Sequence, residues 1–69
     1  MKFDIYGRFQ LEVLRENDAW GVYRLAPGTR ERDTDLVIPA SVEPDELAAY
    51  LDDLFHELAR PGQTVVLLS

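Results

Sequence analysis

Residues 43–60, Glu-Pro-Asp-Glu-Leu-Ala-Ala-Tyr-Leu-Asp-Asp-Leu-Phe-His-Glu-Leu-Ala-Arg, read as one amphipathic helix with both ends marked. Pro44 suits a first helical turn, where its missing N–H would have no partner. Asp45 and Glu46 then place negative charge at the positive end of the helix dipole. Leu47, Leu51, Leu54, Phe55 and Leu58 recur at i, i+4, i+7, i+8 and i+11, which predicts one apolar stripe and five core side chains. Arg60 suits the carbonyl end, and Pro61-Gly62 stops the helix. Asp45, Asp52, Asp53 and His56 fall on the opposite, water-facing side.

The flanking segments change period. From Phe3 the odd positions run Phe3, Ile5, Gly7, Phe9, Leu11, Val13, while Asp4, Arg8, Gln10 and Glu12 alternate with them. Period two predicts strands whose odd residues face the core. A straight strand over 2–14 would span about 43 Å, so a break is expected at Gly7. Arg15-Glu16-Asn17-Asp18 is turn chemistry, because Asn and Asp tolerate left-handed backbone. Trp20–Leu25 resumes as a strand and closes a hairpin. Ala26–Asp35 reads as a polar loop, Leu36-Val37-Ile38 as a short edge strand ended by Pro39. Thr64–Leu68 reads as a strand, best placed fully buried; its alternative is an exposed edge that pairs with another copy or a partner.

A single α+β domain over 1–69 follows. It has a curved, mostly antiparallel sheet of four to five strands in the order β-β-β-β-α-β, with the helix packed on one face. The chain from Phe3-Asp4-Ile5-Tyr6-Gly7-Arg8-Phe9 through Leu54-Phe55-His56-Glu57-Leu58-Ala59-Arg60-Pro61-Gly62 resembles a family of short bacterial proteins, about seventy residues long, of uncharacterised function. That resemblance implies a small free-standing protein and assigns no active-site residue.

Composition narrows the function classes. The 69 residues are 46% hydrophobic with seven aromatics, enough apolar material for one core. The absence of cysteine removes disulfides, thiolate metal sites and thiol nucleophiles, and fits a cytoplasmic location. No apolar run approaches the ~20 residues of a membrane helix, and the N-terminus lacks the pattern of a signal peptide. A net charge of −6 argues against nucleic-acid binding. The charge is uneven: residues 1–32 hold six basic and five acidic side chains, residues 33–69 one basic and eight acidic.

Candidate chemistry is thin. His56 stands four residues after Asp52 and three after Asp53, but two or three helix-face groups fall short of a zinc ligand set. Asp33-Thr34-Asp35 begins like a calcium loop and fails at Val37, Ile38 and Pro44. Pro27-Gly28-Thr29-Arg30 lacks the lysine and helix of a phosphate loop. Ser41 and Ser69 sit in no nucleophile turn. No enzyme, metal or cofactor is therefore expected.

What remains is a protein-interaction or accessory module, able to self-associate or bind a protein partner. Tyr6, Trp20 and Tyr23 are its expected anchors, since Tyr and Trp dominate binding hot spots, with a place in the core as the equal alternative for Trp20. Asp52, Asp53 and His56 would form an acidic face steering a basic partner. The alternative is a small anionic-ligand domain, with Arg24, Arg30 and Arg32 forming a basic patch near the long loop.

Overall fold

The computed structural model describes residues 1–69 as one five-stranded sheet with a single helical segment across it. The strands are β1 (Lys2–Ile5), β2 (Phe9–Glu16), β3 (Ala19–Ala26), β4 (Thr29–Arg32) and β5 (Val65–Leu67). Every pairing is antiparallel, in the spatial order β4-β3-β2-β1-β5. The helical segment opens with a 3-10 turn at Pro44–Glu46, continues as α1 (Leu47–Phe55) and tightens again into a 3-10 turn at His56–Leu58. It starts at Glu43, whose N–H donates to Glu46 Oε1 at 2.8 Å while the Glu46 N–H donates to the Glu43 carbonyl at 2.9 Å. No helix is long and apolar enough to cross a membrane.

Turn chemistry sets the register. The break at Gly7 is a three-residue loop, Tyr6-Gly7-Arg8, that reverses the chain so that Ile5 pairs with Phe9. Tyr6 (φ 56°) and Gly7 (φ 70°) both adopt left-handed backbone, and the Gly7 N–H is bonded to Asp4 Oδ2 at 2.9 Å. Asn17 and Asp18, with φ of 49° and 65°, form the two-residue turn between Glu16 and Ala19. Positive φ at both central positions matches the right-handed twist of the flanking strands.

The core lies between the sheet and α1. Phe3, Ile5, Leu11, Val13 and Val22 face Leu47, Leu51 and the loop residue Ile38, all buried, with Tyr6 closing one end. The odd-position reading of β1 and β2 therefore holds.

Three expectations are corrected. Leu54 and Leu58 are not core: they are 44% and 39% exposed, whereas Leu47 and Leu51 are fully buried and Phe55 packs half-buried against the core beside Phe9. Leu36–Ile38 forms no strand. The fourth strand is Thr29–Arg32 instead, turned back onto β3 through Pro27-Gly28, with Gly28 at φ 74°. Proline followed by a positive-φ glycine makes a tight turn, so the polar run after it pairs although it has no apolar alternation. Thr64–Leu68 is not fully buried: β5 is an edge strand, with Val66, Leu67 and Leu68 about half exposed.

Candidate functional site

The residues expected to act together are divided among three places. Tyr6 follows β1, where strand parity would put it on the uncovered sheet face. Its left-handed backbone instead swings the ring under the helix, leaving it 2% exposed. The hydroxyl donates to the Asp52 carboxylate and lies 3.1 Å from the Asp52 carbonyl oxygen. Burial, the bond to Asp52 and the charges of Asp52 and Asp53 push the Tyr6 hydroxyl up to about 12. Asp52 is thus a clasp between the helix and the first turn. Asp53 and His56 remain exposed on the helix, with His56 Nδ1 3.2 Å from the Asp53 carbonyl oxygen. No group of three or more acidic or histidine side chains comes together to hold a metal ion.

Trp20 is half-buried at the opposite end of the sheet. Its indole N–H donates to the Val42 carbonyl at 2.9 Å, and the Arg15 guanidinium covers its ring at 3.9 Å. The Arg15 fork is itself bonded to the Ala40 carbonyl at 3.0 Å. Trp20 and Arg15 therefore fasten the loop that precedes α1.

Tyr23 lies on the uncovered face, in a charge ladder across β2, β3 and β4. Register places Glu12 opposite Tyr23 and Tyr23 opposite Arg32. Arg30 bonds Glu12 at 2.8 Å, and Arg32 bonds both Glu16 at 3.0 Å and the Tyr23 oxygen at 2.6 Å. Both guanidinium groups also lie over the Tyr23 ring, at 4.5 and 4.8 Å. The Tyr23 hydroxyl donates to Glu16, which raises the Tyr23 hydroxyl above its ordinary value. The same bond, with that from Arg32, lowers the Glu16 carboxyl; the bond from Arg30 lowers that of Glu12. Gly21 leaves room for this arrangement, since a Cβ there would stand 2.1 Å from Glu16 Oε1.

Arg24, Arg30 and Arg32 do not form one patch. Alternation along β3 sends Arg24 to the helix-covered face, where its guanidinium lies 4.1 Å from the centre of the Phe9 ring. Phe9 in turn meets Phe55 edge-on, with ring centres 5.4 Å apart. The acids that pair with Arg30 and Arg32 are Glu12 and Glu16 of β2, not the neighbouring Glu31, Asp33 and Asp35. Sequence order alone could not supply that pairing, because it depends on register across three strands.

For Thr64–Leu68 the structure realises the second alternative, an exposed edge. Leu68 N–H is bonded to the Lys2 carbonyl at 2.7 Å. Backbone direction alternates along a strand, so Val66 also points to β1 while the N–H and C=O of Val65 and Leu67 point outward, with no strand beyond them. Val65 and Leu67 lie opposite Ile5 and Phe3 on the helix side of the sheet; Val66 lies opposite Asp4 on the other side. The other edge, β4, reads Thr-Arg-Glu-Arg, so its side chains are polar or charged and all exposed. The signal for β5 was present in the sequence: an uncharged, β-branched run with nothing in it to discourage pairing.

No curated protein and no solved structure matches the chain. The family model described as "Domain of unknown function (DUF7661)" matches residues 1–69, and the chain belongs to that family.

Proposed function

We propose that this domain is a protein-interaction module whose binding element is the β5 edge, which takes an extended segment as a sixth strand. The observation that carries this reading is the contrast between the two edges. β4 is blunted by Arg30, Glu31 and Arg32, whereas β5 presents outward backbone groups among Val65, Val66 and Leu67 with no charged side chain between Thr64 and Leu68. Main-chain bonds supply affinity in such strand addition, and side chains on the two faces supply selectivity. α1 lies against β5 and leaves Leu54 partly exposed, so apolar surface extends beyond the strand itself.

The anchors expected from sequence are occupied within the fold: Tyr6 by Asp52, Trp20 by Arg15 and Val42, and Tyr23 by Glu16 and Arg32. They hold the sheet and helix in place for the edge. Asp53 and His56 stay free on the outer helix surface, where charge acts on encounter rate more than on affinity, whereas the Asp52 carboxylate is taken by Tyr6. Anion binding by Arg24, Arg30 and Arg32 has less support, because Arg24 faces away and Glu12 and Glu16 already fill the other two.

The test is a titration of the full chain with a synthetic strand-forming peptide unrelated to β5, alternating threonine and valine and flanked by lysines, followed by amide NMR. Shifts concentrated at Val65 and Leu67, with Thr29–Arg32 unmoved, are expected. A spectrum unchanged at the β5 amides refutes the reading.

A further inference from the structure

We infer that the segment which adds to β5 is the β5 strand of a second copy of this chain, paired antiparallel about a twofold axis through Val66. The inference rests on the edge-binding reading above and names its partner.

Three observations point to a copy of the same strand. First, the outward groups belong to Val65 and Leu67, spaced one on each side of Val66. A twofold axis at Val66 therefore sets Val65 opposite the partner's Leu67, and Leu67 opposite the partner's Val65. Each of these pairs exchanges two hydrogen bonds, about four in all. Second, the faces agree. Residues directly opposite share a sheet face, so Val65 and Leu67 meet their counterparts on the helix side and the two Val66 side chains meet on the other. Every side-chain pair from Val65 to Leu67 is then apolar against apolar. Third, charge permits it. The chain carries −6, yet residues 63–69 contain no charged side chain, so two copies can meet there without opposing like charges at the contact.

The product is a continuous ten-stranded antiparallel sheet with β4 at both ends, the one edge of the domain that is charged along its length. Because β5 is short, the contact belongs to the small, transient class, and the dimer is concentration-dependent. Long-range repulsion between two acidic domains opposes it, so added salt tightens the dimer by screening. A basic partner on the acidic helix face would show the reverse salt dependence.

The test uses the full chain in sedimentation equilibrium at increasing concentration and at two salt levels, with Val66→Lys and Val66→Glu as variants. Val66 is 46% exposed and points off the covered face, so both variants retain the circular dichroism of the folded domain. Across the twofold axis each variant faces its own charge, which weakens the dimer about tenfold or more. An equimolar mixture of the two variants places Lys against Glu and restores association. Recovery in the mixture, with Val65 and Leu67 amides protected in the wild-type dimer, is the expected result. A dimer indifferent to both variants overturns the proposal. So does a chain that stays monomeric at every concentration. In that case the peptide titration separates the two ideas: shifts at Val65 and Leu67 retain the edge-binding reading without the second copy, and no shifts remove both.

Discussion

The helix makes one prediction that separates core from surface within a single repeat of leucines. Leu51 is fully buried among Phe3, Ile5, Leu11 and Leu47, whereas Leu54, three residues on, is 44% exposed. Truncating Leu51 to Ala removes three buried carbons, about 2.4 kcal/mol at ~0.8 kcal/mol per methylene, and leaves a cavity that the sheet cannot close. The total expected is about 2–5 kcal/mol. A 69-residue domain at ~0.05–0.15 kcal/mol per residue has only about 3–10 kcal/mol in all. Leu54→Ala opens no closed cavity, and nearly half of its surface is already in water, so about 1 kcal/mol is expected. At ~4–8 °C per kcal/mol for a domain of this size, a 3 kcal/mol loss lowers Tm by about 12–24 °C, and Leu54→Ala by about 4–8 °C. The assay is thermal and urea unfolding by circular dichroism at low protein concentration, where any dimer is dissociated. Equal losses for the two variants, or a larger loss at Leu54, would refute the placement of α1 on the sheet.

The carboxyls of Glu12 and Glu16 are held below their ordinary values by Arg30, Arg32 and Tyr23, so their contribution is present above the unfolded-state pKa and is lost as pH falls through the lower folded-state value. Urea midpoints should therefore decline in acid, and Glu12→Gln with Glu16→Gln should flatten that decline. At the other end, the Tyr6 hydroxyl is raised to about 12, so its contribution is full below pH ~10 and disappears as pH climbs through about 12. Tyr6→Phe should remove this alkaline limb, and a limb that persists in the variant assigns it to another group. Gly21→Ala should push the Glu16 carboxylate away from its partners. Carbon-detected NMR titration should then show the Glu16 carboxyl moving up and the Tyr23 hydroxyl moving down; an unchanged Glu16 would mean the carboxylate does not lie over Gly21.

Local rules carried most of the fold. Alternation at Phe3, Ile5, Leu11 and Val13 identified the covered face of the first hairpin, and Asn17-Asp18 marked its neighbour, because both depend on residues adjacent in the chain. The capping signals at Pro44, Asp45 and Glu46 likewise announced the helix from within. Thr29–Arg32 escaped notice because its pairing is imposed by the Pro27-Gly28 turn and by the waiting edge of β3, not by any apolar period of its own. The site was less legible still. Tyr6 has the parity of a surface residue, and only the left-handed turn, with Asp52 above it, takes the ring into the core.

The sequence by itself determined the class of the domain, its single helix, most of its strands and its acidic balance, since propensity, period and charge are properties of neighbouring residues. Only the tertiary structure decided that Leu51 and not Leu54 is core, that Arg30 and Arg32 are matched by Glu12 and Glu16, and that β5 stands at an edge. Those outcomes depend on which strands lie side by side and on how far one short helix reaches across them. Burial and backbone pairing at a given residue are set by partners distant in the chain, and no local pattern encodes where those partners stop.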